Sequence, residues 1–451
     1  MKRKLLRTHL RLSNLKQYSE SSIQFSSATG IDKMTYARYK NIEDDLLKSI
    51  RKCILSDTYK FTRYKEKLII KNRNSNPRCI SIPTLKDKLC LKIILETLKE
   101  YFPECKRTYL PQECIKIVTQ NLNLHKYDYF IKLDIKNFYG IINHAILKDF
   151  LKKRIKDKIL LNLIFKALEN PTYPEKNSNN LGLPQGLSIS NILSQIYMLN
   201  FDNMFSLRKD IFVIRYVDDI LIFCNEKYKD DVINELSHHL TNNCKLELNK
   251  DKQKHGCLRL SSFDFLGYSI YTSNFLESKL SIKSTNRFRL ENKIINIITR
   301  YKHSDKKSFT KKALIFELNL IISGSVSSLL SGEIGITRRY GWIFFYSQIS
   351  DISILYHMDN FVATQLSKIL DSASIYEVKK FSKAYFEIKY NLKNSSYIFK
   401  PDEYTENEKA CLLEKIYNIH ITDTEMLHKM FWRLVYRKIS ENERDLIWGI
   451  S

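Results

Sequence analysis

Apolar and polar positions follow two regimes along the chain. Up to about residue 270, short apolar runs mix with amphipathic helical stretches; from about residue 284 the spacing becomes helical. Residues 42–56 and 86–101 predict helices, the second with Leu85, Leu89, Ile93 and Leu98 near one face. Lys67–Lys71 and Arg78–Pro83 predict two strands around the polar turn Asn72–Pro77. Tyr129–Ile135 predicts a strand that ends in an acid, and 145–168 a helix. Ser188–Phe205 predicts a mostly apolar helix after a Gly-Leu-Pro-Gln-Gly turn. Ile211–Phe223 is apolar on both sides of Val-Asp-Asp and predicts a buried hairpin. Phe263–Tyr271 predicts a short strand pair. Further on, Leu290, Ile294, Ile297, Ile298 and Tyr301 share a helical face, and a break is expected at Pro401.

Composition narrows the class. With 451 residues, 43% hydrophobic, and only 11 Gly and 8 Pro, the chain is neither disordered nor collagen-like. Nine scattered Cys, none in a CxxC pair, offer no zinc spacing or disulfide framework. The uncharged stretch Leu181–Phe201 holds Pro184, Gln185, Gly186 and several Ser and Asn, so it does not read as a membrane span. No signal peptide is expected from the basic residues 1–16, and a reducing, cytoplasmic setting is.

Charge changes the picture most. The formal net charge is +25, which argues for a polyanionic partner. Residues 1–100 carry 23 basic and 10 acidic side chains; residues 278–312 carry 11 and 2. Residues 401–451 are net acidic, with 7 basic and 10 acidic side chains. A merely solvated surface is the plainer alternative.

The acids within apolar strands carry the chemistry. Asp134 ends Tyr-Phe-Ile-Lys-Leu-Asp, and Asp218 and Asp219 sit at the tip of Ile-Arg-Tyr-Val-Asp-Asp-Ile-Leu-Ile-Phe. Buried acids are costly unless compensated, and Mg²⁺ prefers carboxylate oxygens together with substrate phosphates. Two such ions, about 4 Å apart, suit an attacking 3′-oxygen and a leaving pyrophosphate. The alternative is an ordinary Asp-Asp turn that caps backbone groups.

On these residues the chain resembles the reverse transcriptases. Tyr216-Val217-Asp218-Asp219 matches the polymerase hairpin, and Lys132-Leu-Asp134-Ile-Lys-Asn-Phe138-Tyr139 matches the first aspartate motif. Leu183-Pro184-Gln185-Gly186-Leu187-Ser188-Ile189-Ser190 matches the turn and helix between them. Leu248-Asn249-Lys250-Asp251-Lys252 and Phe265-Leu266-Gly267-Tyr268 match the two elements that follow, in order, over roughly residues 28–270. The resemblance implies an α+β right-hand polymerase with fingers, a palm of antiparallel sheet plus helices, a helical thumb and a helical C-terminal extension. The expected regions are 1–125 (N-terminal region and fingers), 126–275 (palm, with fingers elements near 145–180), 276–400 (thumb) and 401–451 (extension).

The resemblance also implies roles. Asp134 and Asp218 would hold two Mg²⁺, with Mn²⁺ as a substitute; the Ile135 carbonyl would join them and Asp219 would support the site. Tyr139 would lie under the incoming sugar and exclude a 2′-hydroxyl; its alternative is a core aromatic beside Phe138. Lys71 and Arg78 would bind the dNTP triphosphate, for which Arg offers a two-donor fork. Gln185 and Gly186 would support the template base and incoming nucleotide, and Lys252 would protonate pyrophosphate. Each has a plainer alternative, a solvated cation or a simple helix start. Arg287, Arg289, Lys293, Arg300 and Lys302 would meet duplex backbone from a thumb helix.

The Leu-Pro-Gln-Gly-Leu-Ser-Ile-Ser-Asn form, Gly30-Ile31-Asp32 and the helical tail resemble bacterial defence enzymes of the unknown-group lineage. Tyr340-Gly341-Trp342-Ile343-Phe344-Phe345-Tyr346-Ser347-Gln348 resembles the first subunit of the two-polymerase type 3 antiphage systems, or simply packs a core. That implies an RNA template (a cognate non-coding RNA), a DNA product, antiphage defence, and a second protein subunit or homo-oligomer. The alternatives are a template-independent or protein-primed polymerase of the abortive-infection type, and a retron- or group II intron-like enzyme. No HNH-like, RNase H-like, protease or integrase pattern is present.

Overall fold

The computed structural model describes residues 5–23, 28–70, 77–106, 109–273, 277–305, 309–331 and 336–448. Lys71 lies outside these residues. The chain divides into two compact units, residues 1–109 with 127–257, and residues 110–126 with 258–451. The palm-to-thumb boundary expected near 276 therefore lies inside the second unit. The described fold is α+β.

The strands of the first unit are β1 (Tyr64–Ile69), β2 (Arg78–Ile82), β3 (Tyr129–Asp134), β4 (Thr172–Tyr173), β5 (Phe212–Tyr216), β6 (Asp219–Cys224) and β7 (Lys254–Cys257). Those of the second are β8 (Phe263–Phe265), β9 (Tyr268–Ser273), β10 (Glu277–Ile282), β11 (Ser325–Ser327) and β12 (Arg338–Tyr340).

The site rests on the four-stranded sheet of order β5-β6-β3-β7, antiparallel throughout. Its central strands are the most apolar: Ile220–Cys224 are fully buried, as are Ile131 and Leu133. Apolar side chains on both faces of a strand require cover on both faces. The helix Ser190–Ser206, with Leu193, Tyr197, Met198 and Phe201 buried in the same core, belongs to that cover.

β1 and β2 form an antiparallel hairpin, with β4 added in parallel beside β1. β1 begins at Tyr64, earlier than apolar content alone suggests. The Tyr64 hydroxyl donates to the Ala167 carbonyl at 2.8 Å, and its amide to Pro171 at 3.0 Å. Beyond the hairpin, Thr84 caps the helix Leu85–Tyr101. Asp87 is fully buried there but satisfied by the Tyr59 hydroxyl (2.9 Å), the Thr62 amide (3.1 Å) and the Thr84 hydroxyl (2.8 Å). Such a network removes the cost of an unpaired buried acid. The single helix expected over 145–168 is two, His144–Arg154 and Lys158–Glu169. Asp157 interrupts it by accepting from the Ile159 and Leu160 amides, a local N-cap that outcompetes continuation.

In the second unit β8, β9 and β10 form an antiparallel sheet. The helix Ser284–His303 follows and buries Leu290, Ile294, Ile298 and Tyr301 of the expected face, while Ile297 at its edge is only half-buried. Trp342, Ile343, Phe344, Phe345 and Tyr346 are all buried, so the aromatic run forms core. Pro401 opens a short 3-10 turn, and a Thr405–Glu408 capping box starts the helix Glu406–Tyr417. No described helix is long and apolar enough to cross a membrane.

Candidate active site

Strand register builds the site. Asp134, the last residue of β3, pairs directly with Asp219, the first of β6. Asp218 occupies the two-residue loop between β5 and β6, since Tyr216 pairs with Asp219. Its carbonyl accepts from the Ile135 amide at 3.2 Å, which ties the loop to the end of β3. On the other side, Ile135 bridges Leu248, and the Asn249 amide donates to the Asp134 carbonyl at 2.8 Å. Three separate stretches therefore converge on one end of the central strands.

Electrostatics explains why acids can sit there. Asp134 is 7% exposed, and Lys252 Nζ lies 3.1 Å from both of its carboxylate oxygens. Asn249 Nδ2 adds a bond of 3.2 Å. Lys132 Nζ stands 3.8 Å from Asp219, whose side chain is only 14% exposed. These cations offset part of the cost. Burial still pushes the Asp219 carboxyl up to about 6, with the Asp218 and Asp134 charges adding to the rise. The Asp218 carboxyl also rises, first from burial and then from Asp134, while Lys252 and Arg78 draw it down. Burial and the neighbouring negative charges thus raise the proton affinity of Asp218 and Asp219, and a positive charge placed beside them lowers that electrostatic cost.

The donor set suits magnesium rather than a closed protein cage. Among the described residues, no three His, Cys, Asp or Glu side chains are gathered into a ready-made metal site. Mg²⁺ is usually held by one or two carboxylates plus water and substrate phosphates, and Asp134 and Asp218 supply that number.

The neighbouring motifs reach the same region. Tyr139 is half-buried; burial raises its phenol, the Ser194 hydroxyl hydrogen-bonds it, and the Asp218 charge acts on it. Its carbonyl accepts from the Leu183 amide at 2.7 Å, which fastens the Leu-Pro-Gln-Gly turn beside it. Gln185 meets the fingers hairpin: its carbonyl accepts from the Ser81 amide of β2 at 2.7 Å. Gly186 has φ +102°, and a Cβ there would lie 2.7 Å from Ile80 Cγ2 and 2.8 Å from the Ser81 carbonyl. Only glycine permits both that conformation and that approach. Arg78 begins β2, and its charge acts on Asp218. The first unit thus gathers Arg78, Asp134, Ile135, Tyr139, Gln185, Gly186, Asp218, Asp219 and Lys252.

The basic residues expected on a thumb helix lie in the second unit, on Ser284–His303. Lys302 is exposed. Arg289 Nη1 donates to Asn286 Oδ1 at 3.1 Å. Arg287 pairs with Glu291 at 3.4 Å, Lys293 with Asp445 at 2.6 Å, and Arg300 with Glu317. Much of this basic charge is therefore already engaged within the unit.

Sequence reasoning assigned no role to three residues of this region: Lys132, Asn249 and Arg215, whose Nη1 donates to the Val217 carbonyl beside Asp218 at 2.8 Å. The lysine and the arginine carry the signal that revealed the acids, a charge inside an apolar strand. Their partners, however, come together only through strand pairing and helix packing.

Known proteins are similar to this chain over part of its length. Residues 69–270 match the family described as reverse transcriptase (RNA-dependent DNA polymerase). Over those residues, somewhat under half of its length, the chain is similar to a reverse transcriptase domain. Similar proteins include a COX1/OXI3 intron 2 protein of Saccharomyces cerevisiae, 26% identical over 41% of this chain. The group II intron-encoded protein LtrA of Lactococcus lactis is 28% identical over 35% of this chain. The match spans 28% of each of these relatives' length. Among solved structures, apo telomerase from Candida tropicalis is similar over 92% of this chain and 74% of its own, with 13% identity and a TM-score of 0.42. Telomerase from Candida albicans, in complex with a telomeric RNA fragment, is similar over 87% of this chain and 68% of its own, with 13% identity and a TM-score of 0.39.

Proposed function

We propose that this chain is an RNA-directed DNA polymerase that adds dNTPs to a 3′ end in a right-hand fold. The observation that carries the reading is the in-register pairing of Asp134 with Asp219 while Asp218 is tied to Ile135. This places the acids of two motifs at one end of the two central strands. Asp134, Asp218 and the Ile135 carbonyl, with Asp219 in support, would hold two Mg²⁺, which when bound would supply activation of the 3′-oxygen and stabilisation of pyrophosphate.

The chain's own residues do the rest. Arg78 binds the triphosphate through its planar fork, joined by Lys71. Tyr139 fills the space below the sugar and excludes a 2′-hydroxyl. The Gln185-Gly186 backbone supports the nascent base pair, braced by β2. Lys252 Nζ, 3.1 Å from the Asp134 carboxylate, delivers a proton to the leaving pyrophosphate. Arg289 and Lys302, with Arg287, Lys293 and Arg300 where their ion pairs yield, contact the duplex backbone.

The biological setting we propose is antiphage defence in a bacterial cytoplasm, copying a cognate non-coding RNA with a second subunit or further copies of the chain. The motif forms named above support it. A group II intron-like role is the second reading, favoured by the intron-encoded relatives.

The test is dNTP incorporation by the purified chain on an RNA template in Mg²⁺, with sequencing of copurifying RNA and DNA. Extension that a chelator stops is the expected result; its absence with every primer and template would refute the reading. A discrete small RNA with a matching DNA product supports the defence role, and a spliced intron RNA supports the second reading.

A further inference from the structure

We infer that Arg215 is a positioning residue that holds the catalytic turn in a strained conformation and thereby aims Asp218. The inference rests on the polymerase reading above. The loop between β5 and β6 has two central residues, and the first, Val217, has φ +58°. A two-residue hairpin loop with positive φ at that position normally carries Gly. A β-branched residue there is a genuine outlier, and such strain persists only where the surroundings impose it.

The imposing group is the Arg215 guanidinium. Arg215 Nη1 donates to the Val217 carbonyl at 2.8 Å. The Arg215 side chain is 4% exposed. Its Nε donates to Asp202 Oδ1 at 2.8 Å, and its Nη2 to Asp202 Oδ2 and, at 2.8 Å, to Gln195 Oε1. A bidentate Arg–carboxylate pair fixes the guanidinium plane. The two N–H groups left are both on Nη1, and that nitrogen donates to the carbonyl of the strained residue.

Both anchors lie on the helix Ser190–Ser206. That helix begins at the Leu-Pro-Gln-Gly turn, where the Ser190 hydroxyl donates to the Pro184 carbonyl at 2.7 Å. Arg215 therefore links the tip that carries Asp218 to the helix that follows the Gln185-Gly186 turn. Lysine keeps the charge but cannot hold Asp202, Gln195 and the Val217 carbonyl in one plane. Without the clamp, Val217 relaxes toward negative φ and turns the next residue, Asp218, away from Asp134.

The test is a double-mutant cycle of Arg215→Lys and Val217→Gly, with two readouts. The first is single-turnover dNTP incorporation. Arg215→Lys should slow it about 10- to 100-fold, the scale of an ångström-level misplacement. The same substitution should cost several-fold less when Val217 is already Gly, because glycine adopts positive φ without a clamp. The second readout is hydrogen exchange of the 216–220 amides in the protein without added metal. Arg215→Lys should accelerate exchange there and leave the β1–β2 hairpin unchanged.

An Arg215→Lys chain that extends at the parental rate would overturn the inference. So would an equal loss in both Val217 backgrounds, or faster exchange spread over the whole first unit. If the parental chain incorporates no dNTP at all, the polymerase reading fails instead, and the exchange pattern still decides whether Arg215 clamps the turn.

Discussion

At the scale of single residues, Asp219 ties the site's chemistry to stability. Its carboxyl is raised to about 6 in the folded chain. A raised acid means that the folded state holds its proton more tightly than the unfolded state does. Stability from this group is therefore greatest in acid and falls as pH rises from about 4 to about 6, by about 3 kcal/mol in total. A divalent cation bound at neutral pH would replace the lost proton. Thermal unfolding should show a clear Mg²⁺-induced gain at pH 7.5 that shrinks toward pH 5. Asp219→Asn should raise the melting temperature of the metal-free protein at pH 7.5. Equal Mg²⁺ gains at both pH values would contradict this account. Asp134 and Asp218 were legible in the sequence because an acid in an apolar strand needs a reason. Arg215 and Lys132 gave the same signal, but nothing in the sequence pairs Arg215 with Asp202 on the preceding helix or Lys132 with Asp219 across the sheet.

At the scale of elements, the Leu-Pro-Gln-Gly turn is the junction between the hairpin that carries Arg78 and the helix that anchors Arg215. Gly186→Ala would place a methyl group against Ile80 and the Ser81 carbonyl at a backbone angle alanine rarely adopts. We expect that substitution to cost about 1–3 kcal/mol of stability and to raise KM for dNTP more than it lowers kcat. Unfolding curves and steady-state kinetics together check this; an unchanged KM would mean that the turn does not meet the nucleotide. The strands were readable from their apolar runs. The split near Asp157 was not, because a single capping side chain decided it against a continuous helical period. Nor was the division at residue 258, since strand-like spacing runs on into β8 and β9 without a change in composition.

At the scale of the whole molecule, the charge of +25 is organised rather than diffuse. Part of it neutralises the acids of the site, through Lys132, Lys252 and Arg78. Part is met by the net-acidic C-terminal stretch and neighbouring helices, as Asp445 with Lys293 and Glu317 with Arg300 and Lys438 show. The acidic tail thus packs on the body of its own unit. What remains exposed suits a polyanion. The central claim is that the acids at the end of β3 and the tip of β5–β6 catalyse RNA-templated DNA synthesis. The most direct measurement is single-turnover addition of one dNTP to a DNA primer on an RNA template in Mg²⁺, comparing the parental chain with Asp218→Asn. The account predicts extension by the parent, a loss of about a thousandfold or more in the variant, and a variant that unfolds no earlier than the parent. Extension by Asp218→Asn at the parental rate would contradict it.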